Sequence, residues 1–144
     1  IFKVKPVYGL TERELLRNEL FLNVATILLV EIAIFMRILD DKFEGNYPIP
    51  DDVALNCGGL KMKKTSVPLM FRDACNKVIH AKNFEFSQCH VDHGRYRNRR
   101  QPIFYYEPLV LFYGELGNTE WIAQLDPNKF CNIAGLICRL TLFH

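Results

Sequence analysis

Residues 103–125, IFYYEPLVLFYGELGNTEWIAQL, decide the fold class of this chain. Aromatic and β-branched residues fill the two segments on either side of Gly117-Asn118, and this arrangement is typical of a β-hairpin. The second segment alternates, so one of its faces is expected to lie in the core: Trp121, Ala123 and Leu125. A two-stranded sheet is not stable alone in water, and the hairpin is therefore expected to pack against helices.

Helical signals stand on both sides of the hairpin. Asp126 is suited to cap a helix and Pro127 to occupy its first position, so a helix is expected from there to the end of the chain. Near the other end of the chain, Thr11 and Glu14 form the T-x-x-E capping box that marks a helix start. The helical pattern that follows continues to about Phe43.

This N-terminal helix is apolar nearly all round from Leu20 onward. Such a helix is expected either to thread the middle of the domain or to be covered by a second subunit. Its apolar segment, residues 20–36, is short for a bilayer core and contains Asn23 and Glu31. The Glu31 carboxylate would be costly to place in lipid. We therefore expect no membrane span, and a homodimer is one of the two ways to cover the helix.

A second helix is predicted for residues 67–81, VPLMFRDACNKVIHA. Ser66 is suited to cap it, and Pro68 would lie in the first turn, where its missing N–H costs nothing. The helix is expected to end shortly after His80. Opposite its apolar stripe, three side chains recur at intervals of four residues and form a polar ridge: Arg72, Asn76 and His80.

The predicted order of elements is helix, irregular connection, helix, loop, hairpin, helix. The connection includes residues 57–65, CGGLKMKKT, and the loop covers residues 87–102. This order indicates an α+β fold, with a helical core, a long N-terminal helix and a C-terminal β-hairpin followed by a helix. Residues 1–144 are expected to form a single domain, and the start at Ile1 is compatible with a fragment of a longer chain. The phosphate-loop, GxSxG and HExxH motifs do not occur.

The loop carries a basic segment, residues 94–100, GRYRNRR. Its guanidiniums and one aromatic ring predict binding of RNA or single-stranded DNA: Arg95, Tyr96, Arg97, Arg99 and Arg100. The formal net charge of the chain is only +2, so the alternative is a solvated loop or an arginine cluster that pairs with acidic groups.

Cys89, His90 and His93 precede the basic segment and carry donor atoms that suit zinc. A structural zinc site usually has two pairs of ligands, and the spacing shows only this cluster, so no metal site is predicted. The chain has five cysteines without a CxxC pair, which is typical of a reduced, cytoplasmic protein.

Residues 76–81, NKVIHA, resemble the R-N-x-x-x-H signature of HEPN domains, except that Cys75 stands where the motif has arginine. The nearest arginine is Arg72, one turn earlier. The resemblance implies a helical dimer without cofactor or metal, of the kind that includes ribonucleases of toxin-antitoxin and phage-defence systems. It implies that His80 takes the proton of a ribose 2′-hydroxyl, that Asn76 orients the phosphate and that Arg72 stabilises its charge.

Two classes of function are compatible with these features. The first is a HEPN-like, metal-independent ribonuclease or RNA-binding protein that uses the polar ridge. The second is a non-catalytic, dimeric interaction module that binds a partner protein or nucleic acid through the basic segment of the loop, residues 94–100. The ridge has purely structural alternatives as well. One is a solvated helix face on which Asp73 and Lys77 form an ordinary ion pair, and the other is that His80 and Asn76 cap the end of the helix or bond to the hairpin.

Overall fold

The predicted hairpin lies within a five-stranded antiparallel sheet in a chain of mixed α and β structure. The computed structural model of the chain describes residues 12–43, 55–91 and 103–142. The elements follow one another as α1 (Glu12–Lys42), β1 (Asn56–Met62), β2 (Thr65–Met70), α2 (Phe71–Ile79), β3 (Asn83–Val91), β4 (Ile103–Leu116), β5 (Thr119–Leu125) and α3 (Pro127–Leu142). The strand order is β2-β1-β5-β4-β3, so the α+β class is confirmed.

The β4–β5 hairpin forms as predicted. Gly117 has φ of 61° in the turn, a conformation that glycine adopts without strain. The predicted inward face of β5 is buried: Trp121, Ala123 and Leu125. The indole of Trp121 lies against Gly114 on β4, where a Cβ atom would come within 2.1 Å of the ring. This position therefore needs glycine because the tryptophan fills the space of a side chain.

A second hairpin replaces the later part of the predicted irregular connection, residues 56–65, and the predicted start of the second helix. β1 pairs with β2, and Lys63 takes φ of 52° in the turn between them. Ser66 is consequently in a strand and caps no helix, because α2 begins only at Phe71. Pro68 suits this strand for two reasons. β2 is an edge strand, where a missing N–H costs least. In addition, a residue that precedes a proline favours extended backbone.

The predicted loop over residues 87–102 is strand over its first part. β3 extends to Val91 and pairs with β4, with a register irregularity between Phe86 and Gln88. The aromatic start of β4 lies opposite this strand and not opposite a loop. Residues 92–102 lie outside the described part of the chain.

The helices cover one face of the sheet in two layers. α2 and α3 contact the sheet, and their Phe71 and Phe130 rings meet at 5.0 Å. The predicted cap of α3 is confirmed, because Asp126 Oδ1 accepts hydrogen bonds from the N–H groups of Asn128 at 2.9 Å and Lys129 at 3.1 Å.

The first helix lies over α2 and α3 and does not thread the middle of the domain. It ends at Lys42, close to the predicted end, and its predicted cap Thr11 lies outside the described residues. Leu29, Ala33 and Met36 are buried against the other helices. The core is therefore built from a sheet and helices together, whereas the sequence predicted a helical core.

Candidate functional site

The polar ridge lies at the surface, on the short helix α2. Phe71, Ala74, Cys75 and Val78 form the buried side of this helix. Arg72 is exposed, Asn76 is half-buried and the exposed His80 directly follows the last helical residue. The helix is shorter than predicted. Arg72 and Asn76 share it, whereas His80 lies just beyond its end.

Arg72 holds two helices together. Its Nη2 atom lies 2.7 Å from Oδ1 of Asp40 on α1, and the other carboxylate oxygen of Asp40 binds Arg37. Only 4% of the Asp40 side chain is exposed, whereas 44% of the Arg72 side chain is exposed. The guanidinium that the resemblance would place on a phosphate is therefore engaged in an ion pair between α1 and α2.

Cys75, at the position where the HEPN motif has arginine, points into the core and is fully buried. Burial raises the pKa of its thiol to about 12. The pKa of Cys57, which is also buried, is raised to about 12, mainly by burial and further by the charge of Asp126. Both thiols stay protonated at neutral pH, and a protonated thiol is a poor nucleophile and a poor metal ligand.

The basic segment and His93 beside it lie outside the described residues, and with them the predicted nucleic-acid-binding residues Arg95, Tyr96, Arg97, Arg99 and Arg100. The backbone of Cys89 and His90 belongs to β3. In the ranges that the structure describes, no group of three or more His, Cys, Asp or Glu side chains is placed to hold a metal ion.

Most of the exposed large apolar side chains in the described ranges lie on α1, mainly on the side that faces away from the domain. We call it the outer face of α1. Its eight large side chains are each 44–61% exposed: Leu16, Leu20, Val24, Ile27, Leu28, Ile34, Phe35 and Ile38. At 100° per residue, Ile38 points in the direction opposite to the buried Leu29. The outer face therefore lies on the opposite side of the helix from the side that packs against the domain. By length and composition alone, residues 19–42 of this helix would suffice to cross a membrane.

The outer face has a regular spacing that the sequence analysis missed. Steps of four and three residues alternate along its midline: Leu20, Val24, Ile27, Glu31, Ile34 and Ile38. Such a heptad pattern is typical of a helix that packs along a partner helix. The signal is visible in the sequence, but the apolar residues on the other side of α1 obscure it.

A shallow groove continues the outer face towards α3. It has a volume of about 400 Å³ and lies between Phe35 on α1 and Gly135 on α3, with Glu31 and Cys131 also at its walls. Leu136 of α3 is 45% exposed next to it. The apolar surface therefore extends across two helices of the domain.

Comparisons of the chain with protein-family models, curated proteins and solved structures gave no match.

Proposed function

We propose that the chain is a non-catalytic interaction module that works as a homodimer, joined through the outer face of α1. The observation that carries this proposal is the set of eight half-exposed apolar side chains on one helix. Half of an aromatic side chain presents roughly 100 Å², and half of an aliphatic side chain presents less. The face then offers on the order of several hundred Å², a large share of the roughly 800 Å² that one partner contributes to a standard stable interface.

The chemistry near α2 supports a non-catalytic role. Arg72 is engaged by the buried Asp40, and the Cys57 and Cys75 thiols are buried with raised pKa values. A reduced, cytoplasmic environment suits the free thiols of the described residues, of which Cys131 is exposed.

The proposal is tested by sedimentation velocity over a range of protein concentrations. Wild-type chain is expected to dimerise, and Ile27→Glu is expected to be monomeric. The substitution adds a second carboxylate to the midline of the outer face, one turn from Glu31, and like charges repel where an interface excludes water. The matched control is Ile122→Glu, since Ile122 is 40% exposed on the opposite face of the sheet. A wild-type chain that is monomeric at every soluble concentration would overturn the proposal.

The second candidate is a HEPN-like role in RNA binding or cleavage. It is favoured by the surface position of Asn76 and His80 and by the four arginines of residues 94–100. Replacing these arginines by glutamine should abolish binding of a single-stranded RNA oligonucleotide in fluorescence polarisation, since each removes a phosphate contact. His80→Ala should abolish cleavage and leave binding intact. Wild-type protein that neither binds nor cleaves RNA would exclude this candidate.

A further inference from the structure

We infer that the two copies of α1 pair antiparallel about a two-fold axis near residue 29, with Arg17 of each protomer opposite Asp41 of the partner subunit. This inference rests on the proposed dimer and specifies its geometry. Arg17 and Asp41 are both exposed and continue the midline of the outer face, three residues before Leu20 and three residues after Ile38.

The spacing along the midline is symmetric. From Arg17 to Asp41 the steps are three, four, three, four, three, four and three residues, and this series is the same in both directions. Two antiparallel copies therefore bring together residues whose numbers add to 58. Apolar pairs form on both sides of the axis: Leu20 with Ile38 and Val24 with Ile34. Ile27 then meets Glu31 next to the centre.

Charge decides between the two orientations of such a pair. A parallel pair would place Arg17 beside Arg17, Asp41 beside Asp41 and Glu31 beside Glu31, which is repulsive at every charged level. The antiparallel pair places opposite charges together at both ends. It also offsets the two Glu31 side chains by four residues, or about 6 Å along the axis. Charged positions of this kind fix orientation in paired helices.

The described part of the domain leaves room for this arrangement. Because the outer face is opposite the packed side of α1, the two domains would lie on the outer sides of the helix pair. Asp41 is 74% exposed, and its contact with Arg37 measures 3.4 Å, so its carboxylate can turn towards a second cation at small cost.

A lipid bilayer is the competing occupant of this apolar helix. However, α1 is fastened to α2 by the Arg72–Asp40 ion pair, and Leu29, Ala33 and Met36 are buried against the domain. Crossing a bilayer would require this side of the helix to leave its protein partners. A second copy covers the outer face without that loss.

The orientation is tested by charge reversal in sedimentation equilibrium. Arg17→Glu and Asp41→Arg are each expected to weaken dimerisation about tenfold. In each variant, both contacts between position 17 of one protomer and position 41 of the other become repulsive. The double variant R17E/D41R should dimerise again to within about threefold of wild type, since opposite charges again face each other. A double variant weaker than both single variants would overturn the antiparallel pairing while leaving the dimer in place.

Cysteine cross-linking gives an independent answer in a Cys131→Ser background. Val24→Cys/Ile34→Cys should form an interchain disulfide, whereas Val24→Cys alone should not. In the antiparallel pair the two residues at position 24 are ten residues apart, or about 15 Å along the axis, and a disulfide needs about 4 Å between Cβ atoms. Cross-linking by the single variant would show parallel pairing.

The remaining outcomes separate the dimer from its geometry. A monomeric wild-type chain would refute the proposed function itself, whatever the charge variants do. Flotation of that monomer with phosphatidylcholine vesicles would identify lipid as the occupant of the outer face, and would likewise overturn the inference.

Discussion

Replacing Arg72 by alanine should destabilise the folded chain whether or not Arg72 takes part in any chemistry. The substitution removes a 2.7 Å ion pair to Asp40, a carboxylate of which 4% is exposed. Hydrogen bonds to charged groups contribute about 1.5–3 kcal/mol when they are protected from water. The Arg72 side chain is 44% exposed, so screening lowers this contribution, and we expect a loss of about 1–2 kcal/mol.

A double-mutant cycle isolates the pair. Asp40→Asn keeps the shape of the side chain but weakens the bonds to both Arg37 and Arg72, so it should cost about 2–3 kcal/mol. In the Asp40→Asn background, Arg72→Ala should cost little more, which gives a coupling free energy of about 1 kcal/mol.

The assay is urea unfolding followed by circular dichroism, at one fixed protein concentration because the proposed dimerisation would add to the apparent stability. Arg139→Ala is the matched control, since Arg139 is exposed near the end of α3 and should change the free energy of unfolding by less than about 0.5 kcal/mol. If Arg72→Ala unfolds like wild type and its effect adds simply to that of Asp40→Asn, the ion pair does not join α1 to α2 as argued.

Three further predictions concern the core, a helix cap and the thiols. Gly114→Ala should lower the free energy of unfolding by about 1–3 kcal/mol, because a Cβ atom would meet a buried indole, whereas Gly59→Ala, with open space, should be neutral or stabilising in the same urea assay. Asp126→Ala should cost about 1 kcal/mol in thermal unfolding, because it removes the cap of α3. Cys57 and Cys75 should react with iodoacetamide only on unfolding, as mass spectrometry of the labelled protein would show. Because burial raises their pKa values to about 12, the unfolded thiols lose protons first, and stability should fall as pH rises from about 9 towards 12.

Local signals were sufficient for the C-terminal part of the fold. The β4–β5 hairpin follows from its turn residues and from the alternation around Trp121, and α3 follows from Asp126 and Pro127. Each of these signals acts within a few residues of the element that it defines. The prediction did not depend on which other part of the chain packs there.

The β1–β2 hairpin was missed because its signals are long-range. Gly58 was interpreted as part of an irregular connection, but β1 passes so close to β5 that a Cβ atom there would lie 1.9 Å from the carbonyl oxygen of Gln124. The glycine permits strand pairing with a segment more than sixty residues away. Likewise, Pro68 suits the first turn of a helix and an edge strand equally, and only the neighbouring strand decides between them.

The polar ridge shows the same limit at the candidate site. The four-residue spacing of Arg72 and Asn76 correctly predicted a shared helix, but not the partner of the guanidinium. That partner, Asp40, lies 32 residues earlier in the chain. A motif match along one helix thus specifies which side chains are neighbours, while the chemistry of the arginine depends on a contact that spacing cannot reveal.

The first helix explains why an apolar pattern on all sides need not mean burial on all sides. Its inward residues Leu22, Leu29 and Met36 recur at intervals of seven, and so do the outward residues Leu20, Ile27 and Ile34. The two series lie on opposite sides of the helix, so the helix has no single apolar side, and in the proposed dimer each side has its own partner. The folded domain supplies the inward partner, so changes there act on folding. Under the proposed dimer, changes on the outward side should leave the core intact and weaken association, so that experiments can separate the two sides.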